Sequence, residues 1–113
     1  MLTIDNLRAW GADTKEGLGR CMNNEAFYLR LVDKVVQEPS FDKLKEAVEA
    51  HDLAGAFEAA HALKGVTANL ALTPIQKPVS EMSDLLKAGT DMDYSALLAQ
   101  VLAARDSFLS LLE

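Results

Sequence analysis

The sequence predicts an all-α fold, an antiparallel four-helix bundle with one or two short extra N-terminal helices. Three observations lead there. Apolar residues recur at steps of three and four along most of the chain, and no stretch alternates with period two for long enough to make a strand. Alanine and leucine are abundant, whereas aromatics make up only 6%. Long amphipathic helices joined by short loops must bury their apolar stripes against each other, and an antiparallel bundle is the simplest arrangement that does so.

The elements follow from local punctuation. Residues 2–10 form a brief apolar-rich segment ended by Gly11, and Asp13 is placed to cap a short turn or helix reaching Met22. Gly17 and Gly19 read as a structural glycine pair in a turn. Asn23 and Asn24 offer the next N-cap, and over 25–37 the apolar positions Tyr28, Leu31, Val32, Val35 and Val36 share one helical face until Pro39 stops it. Phe27, Tyr28 and Leu29 leave open which of the three points inward. Ser40 is placed to cap a short helix to Ala50 with Leu44, Ala47 and Val48 inward, and His51 and Asp52 make a joint with Asp52 as cap.

Residues 53–70 carry a clear seam of Leu53, Ala56, Ala60, Leu63, Thr67 and Leu70. Thr73-Pro74-Ile75-Gln76 reads as a helix start, with Thr73 as cap, Pro74 in the first turn and Gln76 completing a capping box. Ile75, Val79, Met82 and Leu86 form its inner stripe and Gly89 ends it, while Pro78 should bend or loosen its beginning. The last helix, from about Asp93, aligns Tyr94, Leu97, Val101, Ala104, Phe108 and Leu111.

A length of 113 residues fits one domain over 1–113, with N-terminal helical segments in 1–22 and the bundle in 24–112. The net charge is −6 and the Lys and Arg residues are dispersed, which argues against nucleic-acid binding. No signal-peptide pattern opens the chain, and no apolar run approaches the roughly 18 residues of a membrane span. Cys21 is the only cysteine, so no intrachain disulfide forms; a buried position suits it better than a reactive thiol. The expected location is the cytoplasm and the expected state a monomer.

Of the two histidines, His51 reads as an ordinary joint residue. His61 lies one position beyond the seam residue Ala60, and a rotation of about 100° turns it toward solvent. Its face holds Glu58 at i−3, Lys64 at i+3, Gly65 at i+4 and Ala68 at i+7. A neutral imidazole is a competent nucleophile near neutral pH, and an ammonium one turn away favours a phosphoryl group. Glycine within an exposed helix costs about 1 kcal/mol relative to alanine, and a return for that cost at Gly65 is access to the histidine. By itself a surface histidine near a lysine is usually structural, and mid-helix glycines usually serve close packing. Glu58 is read as a solvated charge or as a group that steers a basic residue of a partner.

The stretch Ala60-His61-Ala62-Leu63-Lys64-Gly65 resembles the A-H-x-L-K-G signature of histidine-containing phosphotransfer domains. The resemblance extends to Pro39-Ser40-Phe41, the run 44–50 and Asp52 before it, and to Asn69-Leu70-Ala71-Leu72 and Pro74 after it. It implies that His61 is the phosphoacceptor, that Lys64 is the charge partner of the phosphate, and that Gly65 and Ala68 leave room for a docking partner. Two departures stand out: Ala71 occupies a position where the family usually has glycine, and Val66 replaces a smaller residue.

The implied function is relay of a phosphoryl group between His61 and the aspartate of response-regulator receiver domains, with a hybrid sensor histidine kinase upstream. The competing reading is a helical adaptor with no phosphorylation. The chain has no nucleotide-binding motif and no dense carboxylate cluster, so no cofactor or metal of its own is expected; Mg²⁺ is expected on the partner receiver. It is therefore read as a phosphocarrier, not an enzyme.

Overall fold

Side-chain oxygens that accept from otherwise unpaired N–H groups set most of the helix starts. The computed structural model describes residues 1–113. Thr3 and Asn6 form a reciprocal capping box at α1 (Ile4–Trp10), Asp13 caps α2 (Thr14–Arg20), and Asn24 caps α3 (Glu25–Asp33). A 3₁₀ turn, Lys34–Gln37, leads to α4 (Ser40–Glu49), and Asp52 caps α5 (Leu53–Asn69). α6 (Thr73–Lys87) and α7 (Ser95–Ser110) complete the chain, and no strand is present.

Two expected caps are not used. Ser40 is already the first helical residue of α4, and its N–H and hydroxyl both donate to Glu38 Oε1, at 3.2 and 2.8 Å. The carboxylate two residues upstream is the stronger acceptor and takes that role. α6 begins one residue earlier than a Thr73 cap requires, so Leu72 occupies the cap position and the Gln76 N–H bonds to the Leu72 carbonyl. No capping box forms there. α6 then continues through Pro78, which is buried.

Two further expectations change, and one open question is resolved. Gly17 and Gly19 lie within α2, not in a turn. Gly17 sits beneath the Tyr28 ring, where an added Cβ would lie 2.5 Å from Tyr28 Cε1. Val36 is exposed, because the helix tightens to 3₁₀ winding at Lys34 and the turn per residue rises from 100° to about 120°. Among the ambiguous trio, Tyr28 is fully buried, Phe27 is exposed and Leu29 is half-buried.

The helical bundle is built from α4 to α7. α5 packs against α4 on one flank and α6 on the other, and α7 joins α6 to α4. Short links, 50–52 and 70–72, join α5 to the two helices it packs against. The predicted seam is buried: Ala56, Ala60, Leu63, Thr67 and Leu70 are at most 5% exposed, and Leu53 packs at their edge. Small side chains let the helix axes approach, and the one buried hydroxyl is satisfied by donation from Thr67 to the Leu63 carbonyl, 2.7 Å away. Ile75, Val79, Met82 and Leu86 of α6 and Tyr94, Leu97, Val101 and Phe108 in and beside α7 enter the same core cluster. Cys21 is buried in it as well.

The N-terminal segments cover the end of the bundle where α5 finishes. The Asp13 N–H donates to the Ala71 carbonyl at 3.0 Å, the Tyr28 hydroxyl to the Leu70 carbonyl at 2.8 Å, and the Arg20 guanidinium to the Ala68 carbonyl. Of these acceptors, Leu70 has no other donor, whereas Ala68 also accepts from the Ala71 N–H and Ala71 from the Thr73 hydroxyl. Trp10 of α1 meets Phe108 of α7 with ring centroids 5.5 Å apart. Ala71, the departure from the family glycine, takes a left-handed φ of +56°. That conformation costs a non-glycine residue about 1–2 kcal/mol. The buried methyl offsets part of it, at about 0.8 kcal/mol per buried carbon.

Two outcomes test this account. Gly17→Ala should destabilise the protein by about 1–3 kcal/mol in denaturant unfolding despite alanine's better helix propensity, because the methyl collides with the Tyr28 ring. Burial, with smaller contributions from Cys21 and Asp13, pushes the Tyr28 phenol up to about 12. The folded state therefore holds this proton more tightly than the unfolded chain, whose tyrosines titrate near 10. Stability from Tyr28 should be complete below pH 10 and fall as pH rises toward 12, and Tyr28→Phe should remove that part of the slope.

Candidate functional site

The core-facing seam of α5 determines what its opposite face presents. His61 stands on that outward face and is exposed, as are Glu58 and Gly65; Lys64 and Ala68 are half-buried at its edge. The structure thus brings together on one side of one helix His61 and the four residues read as sharing its face. Ala68 takes part through its backbone too, since its carbonyl receives the Arg20 guanidinium. An added Cβ at Gly65 would meet no atom within 4 Å, so close helix packing does not explain this glycine.

Two neighbours of the site escaped the sequence reading. Phe57, one turn before His61, stacks on the imidazole with centroids 5.6 Å apart and planes inclined by 24°. The ring packs against one side of the imidazole, and His61 stays exposed to solvent. The i, i+4 spacing of Phe57 and His61 was the available signal. Asp84 of α6 pairs with Lys64, Nζ to Oδ1 at 3.1 Å, and nothing local in sequence announces a partner twenty residues away.

On a helical projection Ala62 and Lys64 flank His61 on opposite sides. The Lys64 side abuts α6 through Asp84. On the Ala62 side, a surface groove of about 490 Å³ runs between Lys43, Glu46 and Ala47 of α4 and Gly55, Glu58 and Ala62 of α5. Further along, Leu31, Val35, Val66 and Leu70 line a smaller groove of about 220 Å³. Val66, bulkier than the family residue, forms part of that apolar wall. No three His, Cys, Asp or Glu side chains are grouped so as to hold a metal, and no helix is long and apolar enough to cross a membrane.

His51 is removed from this face. It lies in the 50–52 joint with a left-handed φ of +53°, and its Nε2 is 2.8 Å from Asp91 Oδ1 in the link between α6 and α7. It fastens one loop to another.

Comparison with known families bears on the bundle that carries this histidine. A family model of the Hpt domain matches residues 37–110, the stretch that holds α4 to α7. The chain belongs to this family. No curated protein and no solved structure matches the chain significantly. Hpt domains are helical bundles that serve histidine phosphotransfer in the phosphorelays of two-component signalling, as phosphocarriers that interact with receiver domains and kinases. In this chain α5 presents one histidine, His61, to solvent.

The open space at Gly65 makes a stability prediction independent of function. Gly65→Ala should stabilise the isolated chain by up to about 1 kcal/mol in denaturant unfolding, the gain of alanine over glycine inside a helix. It is the same substitution as at Gly17, with the opposite sign.

Proposed function

We propose that this Hpt domain relays a phosphoryl group between His61 and the aspartate of response-regulator receiver domains, with a hybrid sensor histidine kinase as the upstream source. The supporting observation is the exposed imidazole on the outward face of α5, with Lys64 one turn further on and open space at Gly65. The proposed roles are phosphoacceptor for His61, charge partner for Lys64, and an unobstructed approach over Gly65 and Ala68.

In the transfer, neutral His61 attacks phosphorus through the lone pair of one ring nitrogen. The P–N bond forms as the P–O bond to the receiver aspartate breaks, and the carboxylate leaves with the bonding pair. The proton on the other ring nitrogen stays with the imidazole until solvent takes it. The reverse transfer follows the same path. Phe57 helps by limiting the orientations the ring samples, so less freedom is lost on reaching an in-line geometry. Lys64 offers positive charge to the phosphoryl oxygens. Mg²⁺ held by the receiver neutralises phosphoryl charge on the partner's side of the complex. The chain brings no cofactor of its own in this reading and acts as a cytoplasmic monomer.

The test is chemical. The full chain is incubated with receiver domains charged by a small-molecule phosphodonor in the presence of Mg²⁺. The expected product is an acid-labile, alkali-stable phosphate on the chain, absent from His61→Gln of unchanged helical circular dichroism. Absence of label with several receivers, or equal labelling of His61→Gln, would overturn the proposal in favour of a docking module without phosphorylation.

A further inference from the structure

Lys64 is the only cation in α5, and it is already engaged. Its ammonium lies 3.1 Å from Asp84 Oδ1, reaching across from α5 to α6, with the two side chains 40% and 69% exposed. A lysine sits on a four-carbon stem with three rotatable donors, so it can leave one acceptor for another by rotamer change alone. An exposed pair of this kind is weak and salt-screened. A phosphoryl group on His61 would carry about −1.5 to −2 charge and three acceptor oxygens, against the single charge of a carboxylate.

Resting on the phosphotransfer reading above, we infer that Asp84 is a positioning residue for the reaction. It holds the Lys64 ammonium on the α6 side while His61 is unmodified, and it competes for that ammonium once His61 carries phosphate. The competition sets a bias. Every transfer to His61 that recruits Lys64 must first release it from Asp84, so Asp84 favours return of the phosphoryl group to a receiver. The phosphoryl transfer itself keeps the bond changes already given: P–N made, P–O to aspartate broken, carboxylate released. Asp84 neither gains nor loses a covalent bond.

The experiment measures, at equilibrium, the ratio of phosphorylated chain to phosphorylated receiver for the full chain and four variants. Asp84→Asn removes the charge and keeps the shape, and should raise the ratio by roughly two- to fivefold, the range open to an exposed ion pair. Asp84→Glu, which keeps a carboxylate, should leave the ratio closer to wild type than Asp84→Asn does. Lys64→Ala should lower it. In Lys64→Ala, the added Asp84→Asn change should have no further effect, because Asp84 acts through Lys64. The Asp84→Asn effect should also shrink as salt is raised. An unchanged ratio in Asp84→Asn on a chain that does accept phosphate would overturn this inference alone. An equal rise with and without Lys64 would overturn it too, by showing that the carboxylate repels the phosphate directly. A wild-type chain that takes no phosphate would overturn both this inference and the function beneath it.

Discussion

The packing of Ala56, Ala59, Ala60, Leu63 and Thr67 between α4 and α6 is the contact on which the rest of the site depends. A helix has no freedom to choose its outer face once its inner one is buried. With Leu63 and Ala60 in the core, His61 must stand outside, and Lys64 must lie at the α6 edge, where Asp84 receives it. The small side chains of the seam matter as much as their hydrophobicity, since they bring neighbouring helices close enough for a side chain on α6 to reach one on α5.

The division of labour is between a rigid frame and very little chemistry. The outward face of α5 contributes one imidazole, one aromatic ring stacked on it, and one ammonium paired with Asp84. The shallow grooves on the Ala62 side of the helix are of mixed character, with charged rims along α4 and apolar side chains near Val66.

Much of this was readable from residue order, for reasons that also explain the failures. The seam of α5 shows because regular winding turns a three-and-four spacing into one face, and the outward placement of His61 follows from it by rotation. Val36 was misplaced because the winding changes at Lys34, and periodicity carries no warning of a 3₁₀ turn. Ser40 and Thr73 have the right chemistry for caps. Which acceptor wins is decided by a competing carboxylate at Glu38 in one case and by a one-residue shift of the helix start in the other. The Gly17–Tyr28 contact and the Lys64–Asp84 pair join separate helices, so they depend on the register between elements, which no local pattern encodes. The A-H-x-L-K-G stretch did what spacing alone does not, by giving a surface histidine a chemical context.

The carbonyls at the end of α5 carry a last consequence. Those of Ala68, Leu70 and Ala71 are met by Arg20, Tyr28 and Asp13, all of which precede the stretch shared with the family, 37–110. The match to the family and the contacts that close the end of α5 therefore have different edges in this chain. A boundary drawn where the family likeness begins would take from the Leu70 carbonyl its hydrogen-bond donor and from the core the fully buried Tyr28 ring. The first thirty residues therefore serve the helix that bears His61 by closing its far end.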